Sequence, residues 1–115
     1  MNITKFNKTE ILFTNNEKFD EFKTLEELYN EFGSDMKYKV LGVYNYKSTY
    51  GNGSFIKSEG FNISLPNHLN STIKDIRNDL ESVEEINSGK VYIKIYPYTL
   101  EKYPGKTFYS INFVA

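Results

Sequence analysis

Apolar positions change their spacing several times along the chain, and each change marks an element. Near residue 90 the period becomes two: Val91, Ile93 and Ile95 share one face while Tyr92, Lys94 and Tyr96 share the other, as a half-buried strand requires. Residues 107–114 repeat the pattern, with Tyr109, Ile111 and Phe113 alternating against Phe108, Ser110 and Asn112. Residues 37–65 hold two runs rich in Val, Tyr, Phe and Ile, joined by Tyr50, Gly51, Asn52 and Gly53, whose small members tolerate positive φ. They predict a long β-hairpin, ended at Pro66, which cannot donate to a ladder. A further strand is expected over residues 9–14.

Two segments carry the helical spacing instead. Thr24 stands three residues before Glu27, a capping box, and opens a helix whose apolar residues Leu25, Leu28, Tyr29 and Phe32 fall on one face before Gly33 stops it. A less regular turn holding Phe19 and Phe22 is expected ahead of it. Asn70 or Ser71 caps a second helix, lined by Ile73, Ile76, Leu80 and Val83 and running down to Asn87 and Gly89. The expected order is strand, helix, strand, strand, helix, strand, strand: a mainly β, α+β chain with two helices. With the first helix taken as an insertion, the remainder has the order of the OB fold, a five-stranded, partly open barrel. An N-terminal arm added to another small α+β sheet would give the same string.

At 115 residues the chain fits a single domain, residues 1–115, with one modest core. It has no cysteine and only one histidine, His68, so thiolate metal sites are excluded and neither a conventional zinc site nor a cofactor is expected. No apolar run approaches the roughly 20 residues that span a bilayer, and residues 1–10 contain no apolar signal core. The expectation is a soluble, cytoplasmic protein without a membrane partner. The net charge of -1 hides a division. Residues 1–36 sum to -4 and residues 70–89 to -3, whereas residues 37–69 and 90–115 each sum to +3. The helical segments are therefore acidic and the β segments basic, which can give one face of each sign.

Chemistry concentrates in the basic segments. The first hairpin carries Tyr44, Tyr46, Lys47, Tyr50 and Lys57; the last strand pair carries Tyr92, Lys94, Tyr96, Tyr98, Lys102, Tyr103 and Lys106. Rings that stack on bases, set among ammonium groups that hold phosphates, are what a single-stranded nucleic acid site needs, and the two hairpins are expected to converge on one groove. The ordinary account of any one of these residues is different: tyrosine is common in β structure with one end buried, and lysine guards exposed strands. Arg77 is the only arginine, which leaves little for bidentate base reading and favours sequence-tolerant binding. An enzyme is not expected, because Glu26 with Glu27 and Glu84 with Glu85 sit on charge-dense helices, and Gly-Asn-Gly is too short to cradle a phosphate. The rival reading is a protein-binding module, for example an inhibitor of an enzyme, that uses the same tyrosine-rich surface as its interface.

From KYKVLGVYNYKSTYGNGSF through KVYIKIYPYTLEKYPGKTFYSINF the chain resembles the small single-stranded DNA-binding proteins of lactococcal phages. That resemblance implies an OB fold, a role in phage DNA replication and recombination in the cytoplasm of the infected bacterium, and homo-oligomers, dimers or tetramers. Replication or recombination proteins would be further partners. The last residues, INFVA, carry no acid, so recruitment of such partners through an acidic tail, as in bacterial counterparts, is not expected.

Overall fold

Residues 13–49 and 51–115 are described by a computed structural model of the protein. The elements run β1 (Phe22–Thr24), α1 (Leu25–Phe32), β2 (Tyr38–Lys39), β3 (Gly42–Ser48), β4 (Gly51–Lys57), β5 (Asn62–Leu65), a 3₁₀ turn (Asn67–Leu69), α2 (Asn70–Arg77), α3 (Leu80–Asn87), β6 (Tyr92–Thr99) and β7 (Thr107–Val114). The strands form two sheets, ordered β1-β5-β4-β3 and β2-β6-β7.

What joins the sheets is one extended run, residues 38–48, that changes partners partway along. Tyr38 and Lys39 pair antiparallel with Ile93 and Tyr92 of β6, and the Val40 N–H donates to the Val91 carbonyl at 2.9 Å. The next N–H, that of Leu41, donates instead to the Lys57 carbonyl at 2.8 Å, and β3 then continues antiparallel to β4. Both sheets turn their aliphatic parity inward. Val40, Val43, Ile56, Ile63, Ile93 and Ile95 are buried between them, and Ile73 and Ile86 close the core from the helical side.

The capping box forms as the sequence predicts. Thr24 Oγ accepts from the Glu27 N–H at 3.1 Å, the Glu27 carboxylate accepts from the Thr24 N–H at 3.2 Å, and Gly33 ends α1 at φ 78°. With Leu25 and Leu28 buried, α1 packs on β5, β6 and β7 and so covers the seam between the two sheets. It does not seal it.

Several expectations need correction. The α+β class holds, but three helices stand among the described residues where two are expected, because the segment from Asn70 to Asn87 breaks at Asn78 and Asp79. The Asp79 carboxylate caps a new helix by accepting from the Ser82 N–H at 3.1 Å, so Asp-Leu-Glu-Ser acts as a start signal inside an apparently continuous period. The second arm of the long hairpin is two strands, not one. Between β4 and β5 the Ser58 N–H closes a turn on the Phe61 carbonyl, and Gly60 supplies the positive φ of 91° that the turn needs. Phe22, expected in an irregular turn, lies on β1, which pairs parallel with β5. Neither sheet closes into a barrel. Most of the strand expected over residues 9–14 lies outside the described residues, and Phe13 and Thr14 are not in a strand.

The buried Tyr38 hydroxyl has no hydrogen-bond partner among the described residues. Burial first, and then the charge of Glu31, raises its pKa above the ordinary 10.0. A raised folded value means that stability is intact below pH 10 and falls as pH climbs through that value. In urea unfolding, Tyr38→Phe should stabilise the protein by about 1 kcal/mol and lessen that alkaline fall. Ile93→Ala, at a fully buried position, should cost about 2–5 kcal/mol.

Candidate functional site

Strand parity fixes which side chains the first sheet shows to solvent. Opposite the core, Tyr44 pairs with Phe55, Tyr46 with Gly53, and Phe55 with Ser64 of β5. Because β5 offers only Asn62 and Ser64 on this face, Phe22 of β1 reaches across it to Phe55, at 5.3 Å between ring centroids. Tyr44 stacks on Phe55 at 5.2 Å and 24°, with Tyr46 tilted beside it at 6.2 Å. The result is a strip of rings across the sheet. Phe22 at 51% and Tyr46 at 46% are its open positions, whereas Tyr44 is half-buried with Phe13 against its edge.

Two glycines set the pose of these tyrosines. Tyr46 lies flat over Gly53, where any Cβ would overlap its ring, and Tyr44 folds back over Gly42, where a Cβ would stand 2.7 Å from the hydroxyl. Burial raises the Tyr44 pKa, an effect that the Arg77 charge opposes. That charge belongs to α2, which packs on the other face of β3 through Asn45.

Lys57 does not serve this strip as a phosphate contact. It is 7% exposed, and its Nζ donates to the carbonyls of Asn15 and Glu17, both at 2.8 Å. The Asn62 amide donates likewise to the Phe19 carbonyl at 2.7 Å. Together they strap residues 15–19 along the sheet. The strapping explains the burial, and desolvation lowers the Lys57 pKa despite the opposing charge of Glu17. The groove between strap and strip, about 470 Å3, is lined by Glu17 and Asp20 as well as Lys18.

The second sheet carries its own cluster. Tyr98 stacks on Phe108 at 5.6 Å and 25°, with Tyr96 and Tyr103 beside them and Lys106 Nζ 5.3 Å from the Phe108 centroid. His68 meets Tyr98 edge-on, and its Nε2 lies 3.2 Å from Ser110 Oγ. Tyr103, 47% exposed, is the most open ring here. Tyr92 and Lys94 share this face further along β6 and are half-buried. Lys102 is exposed in the β6–β7 loop, and Tyr50 lies outside the described residues.

The hairpins thus belong to different sheets, and their rings form two clusters where a single groove was expected. The clusters flank the open seam. Ser64, the cross-strand neighbour of Phe55, and Phe108 line the same groove of about 310 Å3, together with the start of α1. Lys47 points to the other face of β3, into a groove of about 460 Å3 shared with Asn45, Tyr46, Lys74 and Arg77. The sequence reading missed Phe22, Phe55, Phe108 and His68. The alternation of Phe55 with Ile56 and of Phe108 with Tyr109 carries the signal. No family model, curated protein or solved structure matches the chain.

Two substitutions separate these roles. Gly53→Ala should displace the Tyr46 ring and change the near-ultraviolet circular dichroism of the tyrosines without unfolding the sheet. Lys57→Gln should destabilise the protein by about 1–3 kcal/mol, since it removes the buried charged donor that holds the carbonyls of Asn15 and Glu17. Hydrogen exchange should then quicken at residues 15–19 first.

Proposed function

We propose that this protein binds single-stranded DNA, sequence-tolerantly, through the exposed rings on either side of the seam. The observation that carries the reading is the strip of Tyr46, Phe55 and Phe22 laid across a strand face, with half-buried Phe55 between the two exposed rings. Most exposed aromatics in β proteins stand singly. Rings in series, without a matching row of base-reading donors, suit stacking on successive bases.

The fold supports this reading at a finer level. Taking residues 38–48 as one bent strand, the chain from there on runs strand, strand, strand, helices, strand, strand, with the first strand hydrogen-bonded to both the second and the fourth. We read this order as that of an OB barrel left open between its third and fifth strands, with α1 over the gap, and it supports the single-strand reading. Single-stranded nucleic acid characteristically crosses the outer face of such a barrel, where the strip lies. The resemblance to lactococcal phage single-stranded DNA-binding proteins points the same way, toward replication and recombination in an infected cell's cytoplasm, a homo-oligomer and no catalysis. Among the described residues no helix is long and apolar enough to cross a membrane.

A second reading has its own observation: Glu17 and Asp20 line the groove beside the strip, and carboxylates repel phosphates. A protein-binding module that inhibits a host enzyme would tolerate them. Salt separates the two readings. Titrating labelled oligo-dT at two salt concentrations should show affinity falling steeply with salt, with single strands preferred over duplex. At fixed salt, Tyr46→Ala or Tyr103→Ala should weaken binding about five- to a hundredfold, from roughly 1–3 kcal/mol per stacked base, leaving the salt slope unchanged. Equal or tighter binding to duplex would sink the proposal.

A further inference from the structure

The groove between the β3–β4 hairpin and α2 has no role in the stacking scheme, yet its lining is chemically one-sided. Lys47 reaches it from β3; Lys74 and Arg77 reach it from α2, where Ser71, Lys74 and Arg77 recur every third residue and so share a face. Among the described residues that line it there is no carboxylate. The one ion pair among the described residues joins Lys23 to Glu21, so none of these three cations is neutralised there by an acid.

Two other polar side chains of the groove, Asn45 and Asn70, are already engaged with the hairpin and with each other. The Asn70 amide bridges the hairpin, accepting from Ser54 Oγ at 2.8 Å and donating to the Asn52 carbonyl at 3.1 Å, while the Asn45 amide donates to the Asn70 carbonyl at 3.1 Å. This network holds the hairpin at a fixed distance from α2. Among the described residues Arg77 touches it only through a long 3.4 Å contact to Asn45 Oδ1, which leaves most of its guanidinium fork without a described partner. Three cations on a helix and a strand that the Asn70 network ties together, with a guanidinium among them, suit a phosphate group. Tyr46 lines the same groove and also touches Phe55, so it stands between the cations and the strip of rings.

Resting on the single-strand reading above, we infer that the Lys47–Lys74–Arg77 groove is a phosphodiester site, which holds the backbone of the strand whose base stacks on Tyr46. Helix α2, which belongs to an acidic stretch of sequence, thereby supplies cations that the hairpins alone lack. The strand enters at the free edge of β3, passes over Tyr46 and continues across the strip toward the seam.

The test is a salt series with fluorescein-labelled oligo-dT on the full chain, comparing wild type with Lys74→Gln, Arg77→Gln and Arg77→Lys. Lys37→Gln, an exposed lysine outside the groove, controls for the loss of net charge. Each of the first two should flatten the slope of log affinity against log salt by about 0.7, the value for one phosphate on a single strand. Arg77→Lys should retain most of the slope, and Lys37→Gln should leave it nearly unchanged, with thermal melting alike in all. If wild type binds oligo-dT with a steep slope and the two glutamine variants keep it, the groove assignment is wrong and the stacking proposal stands. If wild type does not bind oligo-dT, both fall.

Discussion

Everything in this protein depends on the exchange of partners between Val40 and Leu41. Within two residues the backbone transfers its hydrogen bonds from the β6 side to β4, so one segment is an edge of both sheets. A strand that bends this way cannot leave the two sheets coplanar. It angles them around a core in which Val40 and Val43, either side of the exchange, are fully buried. β5 and β7 are not paired with each other, and α1 lies over the gap between them. The bend thus places the two sheets, and with them the two sets of rings, on either side of that seam.

Aromatic display follows from strand parity and from what is missing on neighbouring strands. Phe22 reaches Phe55 only because β5 presents Asn62 and Ser64 between them. Tyr46 lies flat only because Gly53 has no side chain. Larger residues at these places would push the rings upright and break the strip. Lys57 shows the opposite outcome of the same geometry: a cation on the ring face, drawn inward because two carbonyls of the N-terminal segment meet it there. Sharing a face with aromatic rings did not make it a ligand-binding residue.

Much of the fold was legible in the sequence, and the reasons differ by element. The capping box at Thr24 and Glu27, the period of two around Ile93 and Ile95, and the last strand are local patterns that tertiary packing had no cause to override. The break at Asn78 and Asp79 was hidden because Ile76, Leu80 and Val83 keep a helical spacing straight across it. The turn at Gly60 was hidden by the apolar runs on either side of it. Candidate site residues were legible as a set of tyrosines and lysines, but their grouping was not. Which rings meet depends on cross-strand register and on the bend, and Lys74 and Arg77 join Lys47 only through the packing of α2 on β3. Neither relation has a signature within any short stretch of sequence.

The bend sets two clusters of rings on either side of one seam, and under the proposed function one strand of DNA touches both. Photo-crosslinking with an oligonucleotide carrying 5-iododeoxyuridine, followed by mass spectrometry of the crosslinked peptides, tests it most directly. In an equimolar complex, crosslinks should fall on Tyr46 or Phe55 and also on Tyr103 or Phe108. Crosslinks confined to one sheet, or scattered over α1 and α3, would contradict the account.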